Sequence, residues 1–146
     1  MLLAVAIPIV AAGCGGKSGA NIGATRLPKP AYFERADAVC VEAYHRVKAG
    51  YQAFVKGKAK PFSSSREIRE YADAVLIPAK EQEIRELRAL GAPAGDEGKV
   101  EAIIDAYQRG VARAREDPRA AVISASGVFV EATELAKGYG FRHCRY

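Results

Sequence analysis

Apolar residues recur at steps of three and four along most of this 146-residue chain, and that spacing constrains its fold more than any other feature. In a helix of 3.6 residues per turn, such steps place the side chains on one face. No segment alternates apolar and polar residues in the way that a half-buried strand does. The sequence therefore predicts an all-α protein.

The first predicted helix covers residues 31–56. Pro30 suits the first helical position, and Gly57 suits the end of the helix. We expect its inward face to consist of Phe33, Ala36, Cys40, Ala43, Tyr44, Val47, Tyr51 and Phe54.

The second predicted helix covers residues 66–90. It begins with a capping box, in which Ser64 and Glu67 satisfy backbone donors reciprocally. Because Pro78 lacks a backbone N–H and crowds the preceding turn, we expect a kink between residues 74 and 78.

Two more helices are predicted in the C-terminal half. The third covers residues 97–115, with Asp96 as its cap, and the fourth begins at Pro118 after the cap Asp117. Glycines near residue 140 end the fourth helix. The inward residues are Val100, Ile103, Ile104, Tyr107, Val111 and Ala114 in the third helix, and Val122, Ala125, Val128, Phe129, Ala132, Leu135, Ala136 and Tyr139 in the fourth.

Short loops between four amphipathic helices favour an antiparallel up-and-down four-helix bundle, which we assign to a domain over residues 31–146. Many inward residues are alanines, and each of them buries little apolar area. Tyrosines are expected to enlarge this small core: Tyr44, Tyr51, Tyr71, Tyr107 and Tyr139. A core of this kind needs a further source of stability.

An uncharged apolar run over residues 2–12 opens the chain. It is shorter than the roughly 20 residues that a membrane-spanning helix needs, but it fits the apolar part of a secretory signal. We therefore assign residues 1–13 to a signal peptide. Residues 14–30 are rich in glycine and proline and predict a flexible tether.

The string Ala11-Ala12-Gly13-Cys14 at the end of this signal resembles the lipobox of bacterial prolipoproteins. The resemblance implies that Cys14 carries lipid, becomes the mature N-terminus and anchors the protein on the extracytoplasmic face of the cell membrane. A multi-chain anchor holds a protein at a bilayer, which a single chain does only marginally. The alternative is an ordinary signal peptide that is cut nearby and leaves Cys14 as a spare thiol.

With Cys14 assigned to lipid, Cys40 and Cys144 remain as a pair in an oxidising compartment. A disulfide between them would close a loop of about 100 residues, for which chain entropy gives roughly 4.7 kcal/mol. It would supply the stability that the small core lacks. Two buried free thiols are the alternative, and the absence of Cys-x-x-Cys spacing disfavours a redox-active pair.

The lipobox, the tether and the Cys-containing helical domain together are similar to the small helical lipoproteins of bacteria. That resemblance implies an envelope location and a disulfide, and it implies no activity. The sequence therefore favours a lipid-anchored, non-catalytic binding or structural module whose partner is an envelope protein, a glycan or a lipid, not nucleic acid.

Motifs for catalysis and metal binding are weak. Glu42 and His45 have the Glu-x-x-His spacing of di-iron bundles, but such sites need a second copy, and the only other histidine is His143. We interpret Glu42 and His45 as solvated, and we predict no catalytic residue, no metal and no cofactor. The alternative function is that of a carrier or small enzyme, with a pocket between helices near Pro78.

Overall fold

A computed structural model describes residues 26–124 and 127–144, and every regular element among them is helical. The elements are α1 (Lys29–Val55), α2 (Ser65–Tyr71), a π-helical turn (Ala72–Leu76), α3 (Ile77–Ala89), α4 (Glu97–Glu116), α5 (Pro118–Ile123) and α6 (Val130–Tyr139). Because α2, the π-helical turn and α3 follow one another without a break, the described residues form five helical rods. The all-α prediction is confirmed, and the antiparallel four-helix arrangement stays a prediction.

The inward face of α1 differs from the predicted one. Its buried residues are Tyr32, Ala36, Cys40 and Ala43, all in the first two thirds of the helix. Tyr44 and Tyr51 are 48% and 43% exposed, so their assignment to the core was wrong. The reason is that α1 packs mainly on α3 and the π-helical turn, which cover one side of its C-terminal part.

The irregularity expected near Pro78 takes the form of the π-helical turn. The N–H of Ile77 donates to the carbonyl of Ala72, five residues back, instead of the usual four. A proline in this position crowds the carbonyl four residues before it, and a wider turn relieves that contact. The turn lies close against α1. A Cβ at Gly50 of α1 would collide with the side chain of Val75 in the turn, so the glycine allows this close approach.

The start of α2 follows the predicted capping box in one half only. The Oγ of Ser64 accepts a hydrogen bond from the N–H of Glu67 at 3.2 Å. The carboxylate of Glu67 accepts from the N–H and the hydroxyl of Ser63, at 3.0 and 3.1 Å. The reciprocal hydrogen bond of Glu67 is therefore made with Ser63, and not with Ser64 as expected.

The predicted fourth helix is wrong as a continuous element. Asp117 caps α5 through its side chain, which accepts from the N–H of Ala120 at 3.0 Å, but that helix ends at Ile123. Ser124 is extended and Gly127 has a φ of +55°, in a segment whose serine and glycine have low helix propensity. A separate α6 follows, and Leu135 on it is 39% exposed, so that residue is not in the core.

One hydrophobic core joins the described helices. The helix α3 packs on α1 and α4, and α4 packs on α6. The predicted inward residues of α4 are all buried. Gly110 lets the ring of Phe129 reach the surface of α4, because a Cβ at this glycine would collide with that ring.

A disulfide joins Cys40 on α1 to Cys144 in the C-terminal tail, with the two Cα atoms 4.9 Å apart. Both cysteines are buried. The predicted bond is therefore present, and it connects two positions that are 104 residues apart. Cys14 and the signal peptide over residues 1–13 lie outside the described residues.

Candidate functional site

A lysine and a glutamate form an ion pair in the interior of the molecule. Both lie on the inward face of α3, with Lys80 1% and Glu83 0% exposed. The Nζ of Lys80 is 2.9 Å from the Oε2 of Glu83. The same Nζ lies 5.2 Å from the ring centroid of Tyr107 and 5.1 Å from that of Phe129. The ammonium group is therefore held between a carboxylate and two aromatic faces, each of which attracts a cation.

The spacing along the chain explains why these charges lie inside. Leu76, Lys80, Glu83 and Leu87 follow one another at steps of four, three and four, so they share one helix face. Burial lowers the pKa of Lys80 from 10.5 to about 8, and the charge of Glu83 and its hydrogen bond oppose that effect. Burial, and secondarily the charge of Glu83, raises the pKa of Tyr107.

A cleft of about 300 Å³ opens beside this pair, between α1, α3 and the start of α6. Its lining residues are Val47, Leu76, Lys80, Ala121, Ser124, Gly127, Phe129, Val130, Thr133 and Glu134. The walls are mostly apolar, with hydroxyl groups and charges at a few points. Such a cleft can hold a small molecule with an apolar body and one polar group. It lies where the sequence predicted a pocket, one helical turn from Pro78, but no tyrosine is among its lining residues.

The N-terminal end of α1 forms a second group of interactions, centred on the disulfide. The carboxylate of Asp37 accepts hydrogen bonds from the N–H groups of Arg142 and His143, at 2.8 and 2.9 Å. The hydroxyl of Tyr107 donates to the carbonyl of Cys144 at 3.4 Å. The tail is thus fixed by one covalent bond and three hydrogen bonds.

Asp96 was expected to cap α4, but its side chain makes no capping hydrogen bond. It lies between two lysines instead, 2.8 Å from Lys29 and 3.1 Å from Lys99, and it accepts from the hydroxyl of Tyr139 at 3.0 Å. The hydrogen bonds from Lys29 and Lys99 lower its pKa from 3.8 to about 2. The carboxylate therefore ties the start of α1 to α4 and α6.

The structure places the remaining predicted residues at the surface. Glu42 and His45 are exposed on α1, and the ring of His45 lies against that of Tyr44. Within residues 26–124 and 127–144, no group of three or more His, Cys, Asp or Glu side chains could hold a metal ion. Ala125, which was predicted to face inward in the fourth helix, lies outside the described residues.

Sequence reasoning did not identify Lys80 or Glu83 as buried residues of the second helix. A charged pair at positions where the apolar spacing requires leucine or isoleucine is a usable signal. It also missed Tyr32, which is fully buried, and whose pKa burial raises to about 12.

Comparisons with family models, with curated proteins and with solved structures find no match for the chain. Among the described helices, none combines the length and the apolar character needed to cross a membrane.

Proposed function

We propose that the protein is a lipid-anchored, non-catalytic helical module on the extracytoplasmic side of the cell membrane. The observation that carries this proposal is the disulfide between Cys40 and Cys144. Disulfides persist in exported proteins and are rare where thiols are kept reduced. The pairing also leaves Cys14, in its lipobox-like string, as the one cysteine of the chain free for lipid.

The architecture agrees with a module that binds or spaces partners. Its tail is fixed covalently, and its interior is filled by helices that pack on their chain neighbours. We extend the proposal to the antiparallel up-and-down bundle, with α1, the rod from α2 to α3, α4 and α6 as its helices. The packing of α1 on α3, α3 on α4 and α4 on α6 supports that order.

The test is the mass of the intact protein purified from the membranes of cells that express it. We expect an acyl mass on a chain that starts at Cys14, and a protein that needs detergent for extraction. Cys14→Ser is the matched control, because it keeps both disulfide cysteines and should yield soluble, unacylated protein. Wild-type protein without acyl mass, or equal extraction of both forms without detergent, would overturn the proposal.

A second function, that of a carrier for a small amphipathic molecule, is favoured by the cleft beside the buried pair, which Lys80 lines. An ion pair in the interior costs desolvation free energy that its Coulomb attraction does not always recover. Lys80 lines the cleft and Glu83 lies behind it in the interior, so the pair places one cationic side chain in the cleft wall. Ser124 and Thr133 add hydroxyl groups to the same cleft.

The carrier function is tested with octanoate, which displaces a fluorescent anionic naphthalene dye from the folded protein. Thr133→Phe fills the cleft and should abolish dye and octanoate binding. Lys137→Phe, an exposed position on the same helix, should leave binding unchanged. The double variant K80M/E83L removes both charges without leaving one unpaired, so it should stay folded and bind octanoate at least tenfold more weakly. Equal binding by all four proteins would exclude the cleft.

A further inference from the structure

The positive charge of the protein is concentrated at one end. Residues 43–66 contain six lysines and arginines and no aspartate or glutamate, so this segment has a net charge of +6. The whole chain has a net charge of +5, so the other residues together are slightly acidic. In the structure the segment forms the C-terminal part of α1, the following loop and the start of α2.

Three lysines of this segment face solvent. Lys48, Lys56 and Lys60 are exposed, and no ion pair joins any of them to a side chain within the described ranges. The other basic residues of the segment are partly neutralised, through pairs such as Lys58 with Glu67 and Arg66 with Glu70. We call the surface formed by Lys48, Lys56 and Lys60 the lysine surface.

The loop that carries Lys56 and Lys60 is held in place by stacked rings. Phe62 stacks on Phe54 with centroids 5.7 Å apart and on Tyr51 at 6.0 Å, and it meets Tyr71 edge-on at 5.2 Å. Its φ of +61° lies in the left-handed region that side chains rarely adopt. Strain of this kind persists where the surroundings fix the conformation, and it concentrates at binding sites. The lysines are thus presented on a preorganised loop.

A lysine at the C-terminal end of a helix is also stabilised by the negative end of the helix dipole. That role accounts for Lys58, which additionally lies 3.5 Å above the ring of Phe54 and pairs with Glu67. It does not account for Lys48, which lies two turns before the end of α1, or for Lys60, which lies beyond it.

The proposed anchor and the lysine surface lie toward opposite ends of α1. On the proposed function, on which this step rests, lipid is attached at Cys14, 12 positions before Arg26 at the N-terminal side of α1. The 27 residues of α1 extend over about 40 Å, so the lysine surface does not lie next to the proposed site of attachment. Binding to anionic lipid is kept as the competing outcome of the test below.

We infer that the lysine surface binds an anionic polymer of the cell envelope, a chain with repeated carboxylate or phosphate groups. Lysine is a point charge without the bidentate geometry of arginine, so it selects for charge density more than for anion shape. Repeated anions can contact all three lysines at once, whereas a single small anion contacts one.

The experiment uses the full chain in mild detergent and measures its affinity for labelled polygalacturonate and labelled polyphosphate. We expect both polymers to bind with an affinity that falls steeply with salt, because exposed charges are screened. A stronger response to one polymer identifies carboxylate or phosphate as the recognised anion. The charge reversal K56E/K60E should weaken binding at least tenfold.

The matched control is R35E/K137E, which changes net charge equally at two exposed positions elsewhere. It should change affinity less than twofold, and both variants should melt like the wild type. Equal weakening by the two variants, or tighter binding to phosphatidylglycerol vesicles than to either polymer, would overturn the inference. Because the assay needs no acyl group, its outcome is independent of whether Cys14 is lipidated.

Discussion

The two ends of α1 are both surrounded by aromatic rings, but they are stabilised in different ways. At the N-terminal end, Phe33, Tyr139 and Phe141 lie together beside the disulfide, and the nearby lysine Lys29 has a carboxylate partner, Asp96. At the C-terminal end, stacked rings surround Phe62 and Glu67 binds Lys58 and Ser63. The exposed Lys48, Lys56 and Lys60 have no carboxylate partner among the described residues. Similar residue types thus form a closed junction at one end and an open charged surface at the other.

The contacts at the two ends of α1 are directed differently. Covalent and ionic contacts at the N-terminal end are directed inward, so they stabilise the fold. The outward lysines contribute little to stability, and the left-handed backbone of Phe62 costs free energy that the packing of its ring offsets. Variants at the two ends should therefore affect different properties.

The largest expected effect is that of C40A/C144A, which removes the disulfide. A loop of about 100 residues predicts a loss of about 4 kcal/mol in the free energy of unfolding, which is a large share of the stability of a small domain. The measurement is denaturant unfolding, combined with amide hydrogen exchange. Protection should fall in residues 141–144, while the rings around Phe62 stay packed.

Cys14→Ser is the control for this variant, since it removes a cysteine and keeps the disulfide. Its unfolding curve should match that of the wild type. A loss below about 1 kcal/mol in C40A/C144A would mean that hydrogen bonds such as those of Asp37 hold the tail without the covalent bond.

An intermediate effect is expected at Phe62, where two truncations separate ring packing from backbone strain. Both Phe62→Ala and Phe62→Gly lose the stacking on Phe54. Only glycine adopts the left-handed conformation at no cost, and alanine retains a penalty of about 1 kcal/mol or more. The glycine variant should therefore be the more stable of the two, by about 1 kcal/mol in denaturant unfolding.

At positions with a negative φ, alanine gives the more stable protein and glycine the less stable one. Ala59→Gly in the same loop therefore provides the control. Ala59 has no positive φ, so glycine there should lower stability slightly. If Phe62→Ala were the more stable variant, the loop would not be strained in solution, and the lysine surface would not be preorganised by it.

Much of the fold could be predicted from the sequence, because helix periodicity and end residues are local properties. The inward residues of α4 and the disulfide partners are examples. The failures occur where tertiary contacts decide. Tyr44 has the same spacing as core residues but is 48% exposed. The break before α6 lies at Ser124 and Gly127, and the ring of Phe129 just beyond it packs against Gly110 of α4.

The candidate site was less predictable than the fold. The local spacing places Lys80 on a buried helix face, but the rings of Tyr107 and Phe129 that surround its ammonium group are distant in sequence. Asp96 stands where a cap is expected, yet lysines from two elements attract its carboxylate more than the backbone of α4 does. Both cases depend on charges that meet only in the folded chain.

The smallest expected effect is that of Asp96→Asn, which tests the ionic part of the N-terminal junction. The pKa of Asp96 is lowered from 3.8 to about 2 in the folded protein, so the unfolded chain takes up the proton first as the pH falls. The stabilisation by its lysines is therefore fully present above about pH 4 and is lost as the pH falls to about 2. Wild type should melt about 3 °C above the variant at pH 6 and level with it at pH 2. Glu34→Gln, at an exposed position of α1, is the matched control and should melt like the wild type at pH 6. A melting difference that persisted at pH 2 would mean that packing of the side chain, and not its charge, closes this end of α1.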